Sequence, residues 1–194
     1  MPPHVAQNAP TLSAKARSAK DCRMTRTCRL LVRGKNVHAE TLLATDYLNH
    51  FNEVVMLMEM IAAMPDCLED LRAWRPKTYA EHFRDSSFTD RELAVLAYEN
   101  APPQYRVPFD QTVERLNRVV VGGIEDIAEA IAEGKPERVD HTANGAASCA
   151  RALIDVANGI IHGHHDVADQ SQIDAMMISP EQVAVDALFA GAAA

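Results

Sequence analysis

The stretch from Thr41 to Met64, TLLATDYLNHFNEVVMLMEMIAAM, constrains this chain more than any other. It is apolar nearly all round at helical spacing, and such a helix is a buried helix. One polar cluster interrupts it: Asp46, Asn49, His50, Asn52 and Glu53. Asp46, His50 and Glu53 stand at i, i+4 and i+7, on one helix face. A buried carboxylate or imidazole without partners is costly. The cluster is therefore expected to be paired, hydrogen-bonded, metal-bound or open to a cleft, and function is sought there first.

The rest of the chain reads as helix too. Hydrophobic residues make up 47% of the 194 positions but aromatics only 5%. A core of Ala, Leu, Met, Ile and Val favours helices over a β-sandwich. The first long helix is expected over residues 37–64, ended by Pro65. Three Ser/Thr/Asp-x-x-Glu boxes, at Asp66–Glu69, Thr78–Glu81 and Thr89–Glu92, mark short helices over 67–74, 78–84 and 89–98. Pro108 leads into a second long helix over 109–133, with Phe109, Val113, Leu116, Val120, Ile124, Ile127 and Ile131 on one face. Gly122 and Gly123 inside it predict a kink, a close helix contact or a break. After Gly134 and Pro136 a third long helix is expected over 137–162, with Ala143, Ala147, Ala150, Ile154, Ala157 and Ile161 on its apolar face. Residues 164–178 read as a connector, and Ser179-Pro180 as the cap of a last helix over 181–190. The expected fold is all-α: a bundle of three long helices and several short ones.

Charge divides the chain. Residues 1–37 hold eight Lys or Arg and one acid, a balance of +7; taken from the total of −8, this leaves −15 on residues 38–194. Residues 1–36 therefore read as a basic, largely disordered arm, with Cys28–Val32 as a short strand or extended lead-in. Translation starting at Met24 instead of Met1 is an alternative origin for the arm. The acidic body excludes nucleic-acid binding by composition. The longest apolar run, Val54–Met64, contains Glu59 and is too short to span a membrane. Cys22, Cys28, Cys67 and Cys149 form no CxxC pair, a reduced pattern that places the chain in the cytoplasm.

Enzyme motifs are absent: there is no GxSxG, no GxxxxGK[ST] and no GxGxxG. Two further polar rows could carry chemistry. Asp110, Glu114 and Asn117 repeat the i, i+4, i+7 spacing, and His141, Asn144, Ser148, Arg151, Asp155, Asn158 and His162 form a stripe. Carboxylates and imidazoles projecting from facing helices build metal sites in bundles, and oxygen ligands with histidine suit iron, manganese or zinc. The ligand set on that reading is Asp46, His50, Glu53, Glu114 and His162, with Asp110 opposite or His82 completing it. The ferritin-like Glu-x-x-His element is missing; His50-x-x-Glu53 is its reverse. The bland reading pairs His50 with Glu53, or either with Arg151, and leaves the 141–162 stripe to solvent. His162-Gly-His-His165 resembles a metal clamp on a floppy segment.

Tyr79, His82 and Phe83, with Trp74, Tyr98 and Tyr105 nearby, form either a lid or partner surface, or rings capping the bundle's open end. The methionines at 56, 58, 60 and 64 fit an adaptable helix surface. Together these features point to a non-enzymatic helical-bundle protein that acts through a partner or as a homodimer, a regulator or assembly factor. The alternative is a metal-dependent bundle with an oxidoreductase or sensor role.

Overall fold

The computed structural model describes residues 24–164, and among them the chain is all-α with no strand. The expected connector over 165–178, the last helix over 181–190 and most of the basic arm lie outside the described residues.

The helices in chain order are α1 (24–31), α2 (Asn49–Met60), α3 (Leu68–Ala73), α4 (Tyr79–Asp85), α5 (Arg91–Glu99), α6 (Pro103–Ala132) and α7 (Pro136–Ile161). Single 3₁₀ turns cover Thr45–Leu48 and Pro65–Cys67. The core of the architecture is the α6–α7 hairpin, closed by Gly134 at φ +69°. That left-handed turn is natural to glycine. All six residues named for the apolar face of α7 are buried. On α6, Phe109, Leu116, Val120 and Ile127 are buried, and the face extends back to Tyr105. The helix starts at Pro103 and runs through Pro108, losing one backbone hydrogen bond to the exposed Gln104.

Gly123 marks the close contact. A Cβ built there would lie 2.7 Å from Ala146 Cβ on α7 and 3.4 Å from Met58 Cε on α2. Three helices meet at a point where only a hydrogen fits, and α6 runs through it without a break. Gly122 faces open space.

Three expectations change. The first long helix does not run from residue 37. Leu42 has φ +62°, a left-handed conformation through which an α-helix cannot propagate. A tight loop replaces those turns: Leu42 N–H donates to His38 O and His38 N–H to Leu43 O, each at 2.8 Å. Leu42 and Leu43 are thereby fully buried. Helix proper starts only at Asn49, so α2 is a short third wall and two helices, not three, are long.

The second change concerns the arm. Its described part, 24–36, is helix α1 followed by a turn, and Cys28 and Val32 are buried in the core. Cys28–Val32 is thus the end of a helix, not a strand. Thr25 Oγ1 donates to Asn100 O at 2.9 Å, tying α1 to the end of α5.

The third concerns capping. Thr78 and Glu81 form the full reciprocal box, with Thr78 N–H donating to Glu81 Oε2 at 2.8 Å and Glu81 N–H to Thr78 Oγ1 at 3.2 Å. The Asp66 and Thr89 boxes do not form; α3 and α5 start without a side-chain cap. Asp90, at the start of α5, instead holds Lys35 at 2.9 Å.

The aromatic segment packs into the core. Tyr79 stacks on Tyr98 at 4.3 Å and contacts Tyr47 and Phe109, and Tyr79 and Phe83 are buried.

Candidate functional site

The polar cluster lies across the start of α2, after the bend at Leu42. Asp46 falls in the 3₁₀ turn, and Asn49, His50, Asn52 and Glu53 lie on the helix. His50 is 8% exposed and turns toward the 74–75 segment. A carbonyl only accepts, so His50 Nε2–H donates to Arg75 O, at 2.9 Å. The Trp74 indole N–H donates to His50 O at 3.1 Å, and its ring stacks on the imidazole at 4.8 Å. His82 lies 6.0 Å away, ring centre to ring centre. Burial pushes the pKa of His50 and of His82 down, favouring the neutral form.

Glu53 points to solvent. It does not pair with His50 or reach Arg151. Arg151 instead grips Glu59 with two hydrogen bonds of 2.7 Å each. That bidentate pair joins α7 to α2 across their exposed edge and holds the Glu59 carboxyl below its usual range.

The remaining expected ligands are dispersed. Asp46 lines a polar cleft of about 290 Å³ with Asn49, Asn52, Asp155 and Asn158, where the polar edges of α2 and α7 meet. Glu114 and Asp110 line a different cleft, of about 310 Å³, beside Tyr98, whose hydroxyl donates to Asp110 at 2.8 Å. His162 sits at the far end of α7. Asp46, His50, Glu53, Glu114 and His162 therefore do not form one coordination shell. Among the described residues no three His, Cys, Asp or Glu groups lie close enough to hold a metal ion. Every member of the 141–162 stripe is exposed, as a solvated helix face should be.

Helical spacing gave no sign of a cleft of about 780 Å³ at the C-terminus of α7. The loop 37–46 forms one wall and Ile161-His162 the other. His38 and His162 meet edge to face, ring centres 5.8 Å apart. Glu40 Oε1 accepts the Tyr105 hydroxyl hydrogen at 2.8 Å, and Thr41 Oγ1 donates to Ile161 O at 2.7 Å. Periodicity cannot connect residues that far apart in sequence; His38-Ala-Glu40 in a turn was the one local hint.

The outer side of α2 carries a second feature. Met56, Met60 and Met64, spaced four apart along α2 and the turn after it, are 53%, 36% and 44% exposed. Met58, between them in sequence, is fully buried against Gly123. No described helix is long and apolar enough to cross a membrane. Cys28, Cys67 and Cys149 are buried or half-buried, and burial pushes the Cys28 and Cys149 thiols up, away from the reactive thiolate.

No protein-family model matches this chain, and neither a curated protein nor a solved structure matches it.

Proposed function

We propose that this chain is a non-enzymatic helical-bundle protein that works by contact with other protein chains, first of all a second copy of itself, as a regulator or assembly factor in the cytoplasm. The exposed methionine row on α2 carries this reading. Methionine is flexible and polarizable, so a row of it adapts to a partner surface at little packing cost. The same face carries few charges: Asn49 and Asn52 flank it, Glu59 is paired with Arg151, and Glu53 and Asp66 remain exposed. On a chain of net charge −8, such a face is where a second copy meets least repulsion. A two-fold axis would lay the row against itself, as isologous dimers do. Gly122-Gly123 is a poor alternative surface, because Gly123 is already closed by Ala146.

Light scattering on the untagged chain at micromolar concentration tests the reading. The expected result is a dimer that a Met56→Glu, Met60→Glu double variant converts to a folded monomer. A 21.3 kDa monomer at high concentration, or a dimer indifferent to both substitutions, overturns it.

A further inference from the structure

We propose that His38 and His162 form a two-histidine site for a divalent transition ion of the zinc class, opening on the cleft at the C-terminus of α7. The site differs from the α2 ligand set, sharing only His162 with it, and is independent of the methionine face.

The hydrogen bonds around the two rings fix their anchors. His162 Nδ1 lies 2.8 Å from Asn158 O, and a carbonyl only accepts, so the proton is on Nδ1 and the Nε2 lone pair is free. His38 Nδ1 accepts from the Thr41 N–H at 3.4 Å, which puts the hydrogen of the ion-free ring on Nε2. Thr41 gives its hydroxyl hydrogen to Ile161 O, so its oxygen, 3.3 Å from His38 Nδ1, is placed to accept from that nitrogen once an ion takes Nε2 and the ring proton moves to Nδ1. An imidazole whose Nδ1–H is anchored on a protein oxygen is the usual form of a metal-ligating histidine, since the anchor fixes both tautomer and ring orientation.

The spacing agrees. Two imidazoles that bind one ion through Nε2 at about 2.0–2.1 Å have ring centres roughly 5–6 Å apart. The observed separation is 5.8 Å. Glu40 stands beside the pair, its Oε2 3.8 Å from where a Cβ on Gly163 would lie, with Oε1 anchored by Tyr105. The carboxylate does not complete a three-group shell as it stands, so water fills the remaining positions. Imidazole nitrogen with water and a nearby carboxylate suits zinc, nickel or copper.

The competing explanation is adventitious capture by His162-Gly-His-His165 alone, and His38 separates the two. Titration calorimetry and thermal melts with Zn²⁺ on the untagged full chain are expected to show one ion per chain and a raised Tm, because the ion ties the 37–46 loop to the end of α7. His38→Ala is expected to weaken binding about tenfold or more and to abolish the Tm rise. His162→Ala, at an exposed position that does not support the core, is expected to do the same with an unchanged apo melt. Binding by His38→Ala equal to the parent's overturns the proposal and assigns the ion to the tail histidines. Absence of Zn²⁺ binding by the parent overturns it outright. If His38→Ala fails to fold, a His164→Ala, His165→Ala double variant decides: a Tm rise that survives in it supports the site, and loss of the rise assigns the ion to the tail histidines and overturns it.

Discussion

Trp74 and His50 hold each other twice: the indole N–H donates to the His50 carbonyl at 3.1 Å while the two rings stack at 4.8 Å. With the His50 Nε2–H on Arg75 O, this makes the residue after α3 an extension of α2 rather than a loose linker. The imidazole is a structural clamp, so its removal reads out as stability.

His50→Leu keeps the bulk and loses the bond to Arg75 O and the polar half of the ring contact. The expected cost is about 1–2 kcal/mol, the range for one hydrogen bond and an acceptor left without its donor. Urea unfolding followed by circular dichroism measures it. A change within about 0.3 kcal/mol of zero would show that the clamp contributes nothing, since exposed sites behave that way.

Acid should weaken the fold through the same group. His50 and His82 have folded pKa values below their ordinary 6.5, so between the two values the unfolded chain binds more protons. Their contribution is fully present above pH 6.5 and is lost as pH falls through the depressed folded values. Lys77 near both rings acts in the same direction, while Glu53 opposes it. Melting temperature measured from pH 7.5 to 5 is expected to fall, and less steeply in His50→Leu. An equal slope in parent and variant would remove His50 from the account.

The two adjacent glycines should respond oppositely. Gly122→Ala meets open space in a helix interior and is expected to stabilise by about 1 kcal/mol. Gly123→Ala places a methyl 2.7 Å from Ala146 Cβ and must push α7 away, so it should destabilise by about 1–3 kcal/mol. Ala146→Gly in the same chain should restore part of that loss. Thermal melts of the three variants check this; similar effects at both glycines would mean that α6 and α7 are not closed at that point.

Thr78→Ala should cost about 1 kcal/mol, because Thr78 accepts from Glu81 N–H and its own N–H is capped by Glu81. Thr89→Ala removes no cap bond and should stay within about 0.5 kcal/mol. A larger loss at Thr89 than at Thr78 would reverse the assignment of the two helix starts.

Local chemistry determined the all-α class, the break at Gly134, the apolar faces of α6 and α7, the cap at Thr78 and the solvated stripe from His141 to His162; the expected stop at Pro65 did not hold, since α2 already ends at Met60. Each feature that held follows from spacing within a turn or two, where side-chain direction and backbone preference act directly. Tertiary structure decided the rest. Leu42 adopts φ +62° because burying Leu42 and Leu43 against distant helices outweighs the local strain, and no window of sequence contains those helices. After that bend Asp46 falls in a 3₁₀ turn ahead of α2, while packing against the 74–75 segment turns His50 to Trp74 and leaves Glu53 to solvent. Arg151 chose Glu59 over Glu53, and Asp90 turned to Lys35, for the same reason: the partner is set by where the backbone brings two charges. His38 meets His162 only once the 37–46 loop closes over the end of α7, a contact between residues whose separation along the chain carries no periodic signal.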